Sequence, residues 1–173
     1  MQLSTRQFNE LRENWAKFLS RFAWDWYCTL TFRDPPSPER AHRMFKGFVR
    51  DIERAAGCLV GWFAVDEYGM INGRFHIHAL VSNVAHLRRL YWMDEWDRRA
   101  GYARILPYDP QRGAGYYLGK YMCKQFGYWD MSDPKALLAY QPVLPGALGG
   151  KGVIRGANPN SNNQGARVLV RAG

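Results

Sequence analysis

The chain is short of the features that mark several protein classes. Its three cysteines, Cys28, Cys58 and Cys123, form an odd set with no CxxC spacing. That argues against a disulfide framework and a cysteine-built zinc site, and it fits a reducing cytoplasm, the expected location. No apolar run approaches the roughly 20 residues a helix needs to cross a bilayer, so no membrane role is expected. The polar, amphipathic start MQLSTRQFNELRENW has no secretory-signal character. A phosphate-gripping GxxxxGK[ST] loop is missing, which excludes an NTPase or helicase module. Acidic residues are the scarcer charge: 15 Asp plus Glu against 24 Lys plus Arg leave +9. A balance this basic favours a polyanionic partner, of which nucleic acid is the commonest.

What is present is enough for one domain. The 173 residues are 47% hydrophobic and 15% aromatic, a composition that buries a core. Aromatic faces also stack on unpaired bases, although Trp62, Trp92, Trp96 and Trp129 are read first as packing residues. His42 and His86, each isolated in a helical pattern, are read as surface residues.

Apolar residues at helical spacing from Leu3 to Phe22 predict an amphipathic N-terminal helix. Trp26 to Phe32, WYCTLTF, is short and rich in aromatic and β-branched types, and reads as a strand. Ser37 followed by Pro38 predicts a helix start, with Met44, Phe48, Ile52 and Ala55 on one face and Gly57 as the stop. LVGWFAVDE and RFHIHALVS read as two strands joined across Asn72-Gly73, a hairpin signal. A helix over 86–100, a strand at ARILPYD and a glycine-interrupted helix over 113–126 follow. Beyond Trp129 the pattern offers a helical turn or two over 132–140 and a strand at 166–170.

The order predicts an α+β fold. It is a ferredoxin-like, split βαβ antiparallel sheet with helices on one face, plus the N-terminal helix. The expected organisation is a helix over 1–25, a nuclease-like core over 26–130 and an extension over 131–173.

Two clusters carry chemistry. His76 and His78 alternate in FHIHALV, so both imidazoles face one side while Phe75, Ile77 and Ala79 face the other. Two neutral imidazoles side by side begin a divalent metal site, although a pair on a solvated face has the same spacing. The third ligand is expected from the end of the preceding strand. Glu67 and Asp66 compete there, facing opposite sides, and Glu67 has the longer reach. Two histidines and a carboxylate suit Mg²⁺ or Mn²⁺ holding a phosphate oxygen.

The second cluster is YLGKYMCK, Tyr117 to Lys124. On a helix, Tyr117 and Tyr121 lie one turn apart, with Lys120 and Lys124 at the same spacing. A phenol with a pKa of about 10 is a weak nucleophile at neutral pH. A neighbouring ammonium and a metal-polarised phosphate make it useful. Arg33, Arg74, Arg104 and Arg112 are the candidate DNA-backbone contacts, with Lys46 and Lys135 beside them.

WYCTLTF, GRFHIHALV and YYLGKYMCK, in this order, resemble the three motifs of the HUH endonuclease superfamily, specifically its rolling-circle replication initiators. The doubled YxxKYxxK resembles the two-tyrosine initiators of small bacteriophages. This resemblance spans about Trp26 to Lys124. It implies that His76, His78 and Glu67 ligate the metal and that Tyr117 or Tyr121 attacks the scissile phosphate. It further implies a 5′-phosphotyrosine and a 3′-hydroxyl that primes synthesis, with Lys120 and Lys124 assisting. The implied partners are a single-stranded origin, in some members a hairpin, and a separate helicase of host or replicon. Two rivals stand beside this reading. One is an HUH-type transposase, which usually carries one tyrosine. The other is a non-catalytic single-strand-binding module on the same sheet.

Overall fold

The computed structural model describes residues 4–68, 73–114, 116–118 and 128–139, all within a compact unit spanning Met1–Pro142. Lys120, Tyr121, Cys123 and Lys124 lie outside the described residues, as do Asn72 and the chain beyond residue 139.

Five strands form one antiparallel sheet. They are β1 (Trp26–Thr31), β2 (Trp62–Tyr68), β3 (Phe75–Val81), β4 (Ala103–Pro107) and β5 (Trp129–Met131), in the order β4-β1-β3-β2-β5. The helices are α1 (Thr5–Leu19), α2 (Pro38–Ala56), α3 (Arg89–Arg99) and the short α4 (Pro134–Leu138). The result is the α+β, split βαβ fold that the element order predicts. Among the described residues no helix is long and apolar enough to cross a membrane.

Local chemistry sets the boundaries. Ser4 and Gln7 close a capping box at the start of α1. Ser37 caps α2, Pro38 occupies its first turn, and Gly57 ends it in the left-handed region at φ 67°. The buried stripe of α2 is Ala41, Phe45, Phe48, Val49 and Ile52. Ala55, expected on that face, is exposed. Helix α3 begins at Arg89, because residues 86–88 form a turn and a bend. Strand β5 was not expected: three residues carry no readable alternation, and pairing with β2 defines it.

Alternation along the strands divides the sheet into two faces. Trp26, Cys28, Leu30, Phe75, Ile77 and Ala79 meet Phe45 and Phe48 of α2 and Trp92 and Trp96 of α3. On the other face Phe63, Val65 and Leu80 pack with Leu19 and, partly buried, Leu11, Trp15 and Phe18 of α1. The N-terminal helix therefore covers part of the second face. The rest of that face carries Tyr27, Thr29, Thr31, Glu67, His76 and His78.

The tryptophans divide as the composition suggests. Trp62, Trp92 and Trp96 are core residues, and Trp129 is half-exposed. His42 departs from the surface reading. It is buried, with Nε2 2.8 Å from Asp66 Oδ1 and Tyr128 edge-on to its ring. Helical periodicity could not show that an acid on β2 faces this position. His86 is exposed, as read.

Candidate active site

The site is built on the uncovered end of the second face. Antiparallel register sets Thr29 opposite His78 and Thr31 opposite His76 on β1. On the other side of β3, Glu67 stands opposite His76. From there its carboxylate reaches diagonally, placing Oε2 2.9 Å from His78 Nε2. Asp66, the competing acid, points to the opposite face and is taken up by His42. The two acids of the DE pair are thus separated by the pleat itself.

Hydroxyls hold the far nitrogens of both imidazoles. Thr31 Oγ1 lies 2.9 Å from His76 Nδ1. Tyr27 Oη and Thr29 Oγ1 lie 3.0 and 3.3 Å from His78 Nδ1. Burial, its largest influence, holds the His76 imidazole below its usual pKa, with Arg74 adding to the effect and Glu67 opposing it. His76 is accordingly neutral at pH 7, the form that can donate a lone pair.

The donor set suits a hard divalent cation in kind and in spacing. Two imidazoles and one carboxylate share a face, and the 2.9 Å between His78 Nε2 and Glu67 Oε2 equals the edge of an octahedron with bonds of about 2.1 Å. The third donor stands further off: the His76 and His78 rings are 6.2 Å apart, centroid to centroid. Among the described residues no three His, Cys, Asp or Glu side chains already converge as a closed cage.

A groove of about 980 Å³ opens beside His78. Tyr27, Thr29, Arg104, Arg112 and Tyr117 line it. Residues 113, 114 and 116–118 are helical, and they carry Tyr117 into the groove wall. Its ring packs 4.8 Å from Tyr27 and 5.2 Å from Tyr108, and its hydroxyl accepts from the Asp109 backbone N–H at 3.0 Å. Burial, then Tyr117 and Asp109, push the Tyr108 phenol up to about 12, so Tyr108 stays protonated. Tyr116 turns outward, with Arg112 over its ring at 5.0 Å.

The predicted cations divide. Arg104 and Arg112 line the groove. Arg74 lies at the entry to β3, close enough for its charge to act on His76. Arg33 engages Asp97 instead, and Lys46 pairs with Asp130 at 2.7 Å. The residues that sequence reasoning missed are Tyr27, Thr29, Thr31 and Asp109. The first three had a signal: WYCTLTF alternates, and its polar members fall in register with HxH once the two strands are paired.

A family model described as a replication-associated protein of the ORF2 type matches residues 25–126, more than half of the 173-residue chain. No curated protein and no solved structure matches.

Proposed function

As the chain belongs to this family of replication-associated proteins, we propose that it starts replication by nicking single-stranded DNA through metal-assisted tyrosine transesterification. This is the chemistry of an HUH rolling-circle initiator. One observation carries the reading: His78 and Glu67 meet at 2.9 Å, with His76 on the same face, beside a groove walled by Tyr117 and two arginines.

Each residue then has a task. His76, His78 and Glu67 hold the cation. Mg²⁺ or Mn²⁺, when bound, polarises the scissile phosphate. Arg104 and Arg112 contact the phosphates of the strand lying in the groove. Tyr117 or Tyr121 supplies the nucleophile. Its oxygen bonds to phosphorus as the P–O3′ bond breaks; the phenol loses its proton and the departing 3′-oxygen gains one. Lys120 and Lys124 favour the phenolate and neutralise charge on the phosphate. One phosphodiester is exchanged for another, so the strand is rejoined by the reverse step without ATP. A helicase must come from another polypeptide or another part of a longer chain.

The protein incubated with Mn²⁺ and oligonucleotides from its own replicon's origin tests this. Nicked products should carry a polymerase-extendable 3′-hydroxyl, and EDTA or the His76→Ala/His78→Ala double variant should abolish them. Donors that do not converge among the described residues also suit a non-catalytic single-strand-binding module. Tight binding with no nick in any metal would establish that module in place of the enzyme.

A further inference from the structure

The proposed chemistry leaves the polar row of β1 without a task. Its three side chains are nevertheless placed with regularity. Tyr27, Thr29 and Thr31 alternate toward the histidine face, and the two threonines stand opposite His78 and His76. Their hydroxyls, with that of Tyr27, lie 2.9–3.3 Å from the Nδ1 atoms. Tyr27 does more. Its ring lies 8° from parallel with that of His78, at 6.1 Å, and packs at 4.8 Å on Tyr117.

An imidazole offers only one lone pair to a cation, and the partner of the other nitrogen decides which. An Nδ1–H donating to a hydroxyl oxygen leaves the lone pair on Nε2. For His78 that is the nitrogen facing Glu67. Hydroxyl oxygens both accept and donate, so the row serves either tautomer, but the ring orientation is held in both.

We propose that the β1 hydroxyl row is the positioning layer of the metal face: Thr31 orients His76, Tyr27 with Thr29 orients His78, and Tyr27 ties that ligand to the tyrosine helix. This rests on the metal reading above and extends it to residues that touch neither cation nor phosphorus. Partners of this kind typically alter metal affinity by about 10–100-fold when removed. Tyr27 is the joint between the two halves of the site, since one ring touches His78 and Tyr117.

The test is Mn²⁺ binding to the full chain without DNA, by calorimetry and by the electron paramagnetic resonance of unbound Mn²⁺. Tyr27→Phe keeps the ring and should weaken binding by about tenfold. Thr31→Val should do the same through His76, Thr29→Val should cost less, and Tyr27→Phe/Thr29→Val should cost most. Imidazole ¹⁵N shifts supply the readout that a merely structural role would leave alone. Wild type should show His76 and His78 each as one tautomer, and the variants a mixture. Should wild type bind Mn²⁺ and the variants match it in affinity and tautomer, the positioning role is overturned while the metal reading stands. A wild type that binds no Mn²⁺ overturns both.

Discussion

At the residue scale the pleat of β2 assigns opposite duties to two adjacent acids. Glu67 faces the histidines, whereas Asp66 is buried against His42. Their substitutions should separate cleanly. Glu67→Gln should raise the Mn²⁺ needed for half-maximal nicking by about tenfold or more, with little change in Tm. Asp66→Asn should leave that requirement alone and weaken the fold by about 1–3 kcal/mol, the cost of a buried imidazole deprived of its acceptor. Metal titrations and thermal melts of the two variants check this. Cysteine chemistry offers a second contrast. Burial pushes the Cys28 thiol up to about 12, whereas Cys58 is exposed. At pH 8, maleimide followed by peptide mass spectrometry should modify Cys58 within minutes and spare Cys28 until the protein is denatured.

Two joints matter at the element scale. Arg99 of α3 reaches Asp51 of α2, and this hydrogen bond, with help from Arg54, lowers the Asp51 pKa. An acid with a lowered folded-state pKa stabilises the fold above its unfolded value of about 3.9, and that contribution fades as pH falls through the folded value. Arg99→Gln should therefore cost at most about 1 kcal/mol at pH 7, since the pair is partly exposed. The difference from wild type should shrink below pH 4, as denaturant titrations at both pH values would record. The second joint is Gly101, between α3 and β4. Its φ is 149°, and an added Cβ would sit 2.6 Å from the Arg33 backbone nitrogen and 2.7 Å from the Thr31 carbonyl oxygen. Gly101→Ala should lower Tm by about ten degrees, and because Thr31 is displaced it should weaken Mn²⁺ binding as well.

For the whole molecule, much of the fold was legible because the signals were local. Ser37-Pro38 and Gly57 bracket α2 by capping chemistry, and strict alternation in FHIHALV declares β3 and its polar face. What stayed hidden depends on which strands become neighbours. The three residues of β5 are a strand only because β2 lies beside them. The Tyr27, Thr29 and Thr31 row acquires meaning only in register with His76 and His78. His42 looked solvated until the fold set Asp66 against it. The candidate site follows the same rule. Its histidines and the choice between Glu67 and Asp66 rest on alternation and reach, both readable in one strand pair. The arginines, read from charge alone, divided between the groove and ordinary surface pairing.

The central claim is a covalent bond between a tyrosine of this chain and the 5′ end of a nicked strand. The most direct measurement is mass spectrometry of the protein after reaction with its origin oligonucleotide and Mn²⁺, followed by nuclease trimming and peptide sequencing. The account predicts a nucleotide remnant on Tyr117 or Tyr121, reduced in each single Phe variant and absent in Tyr117→Phe/Tyr121→Phe. Nicked DNA with no remnant on either tyrosine, or a remnant that persists in the double variant, would contradict it.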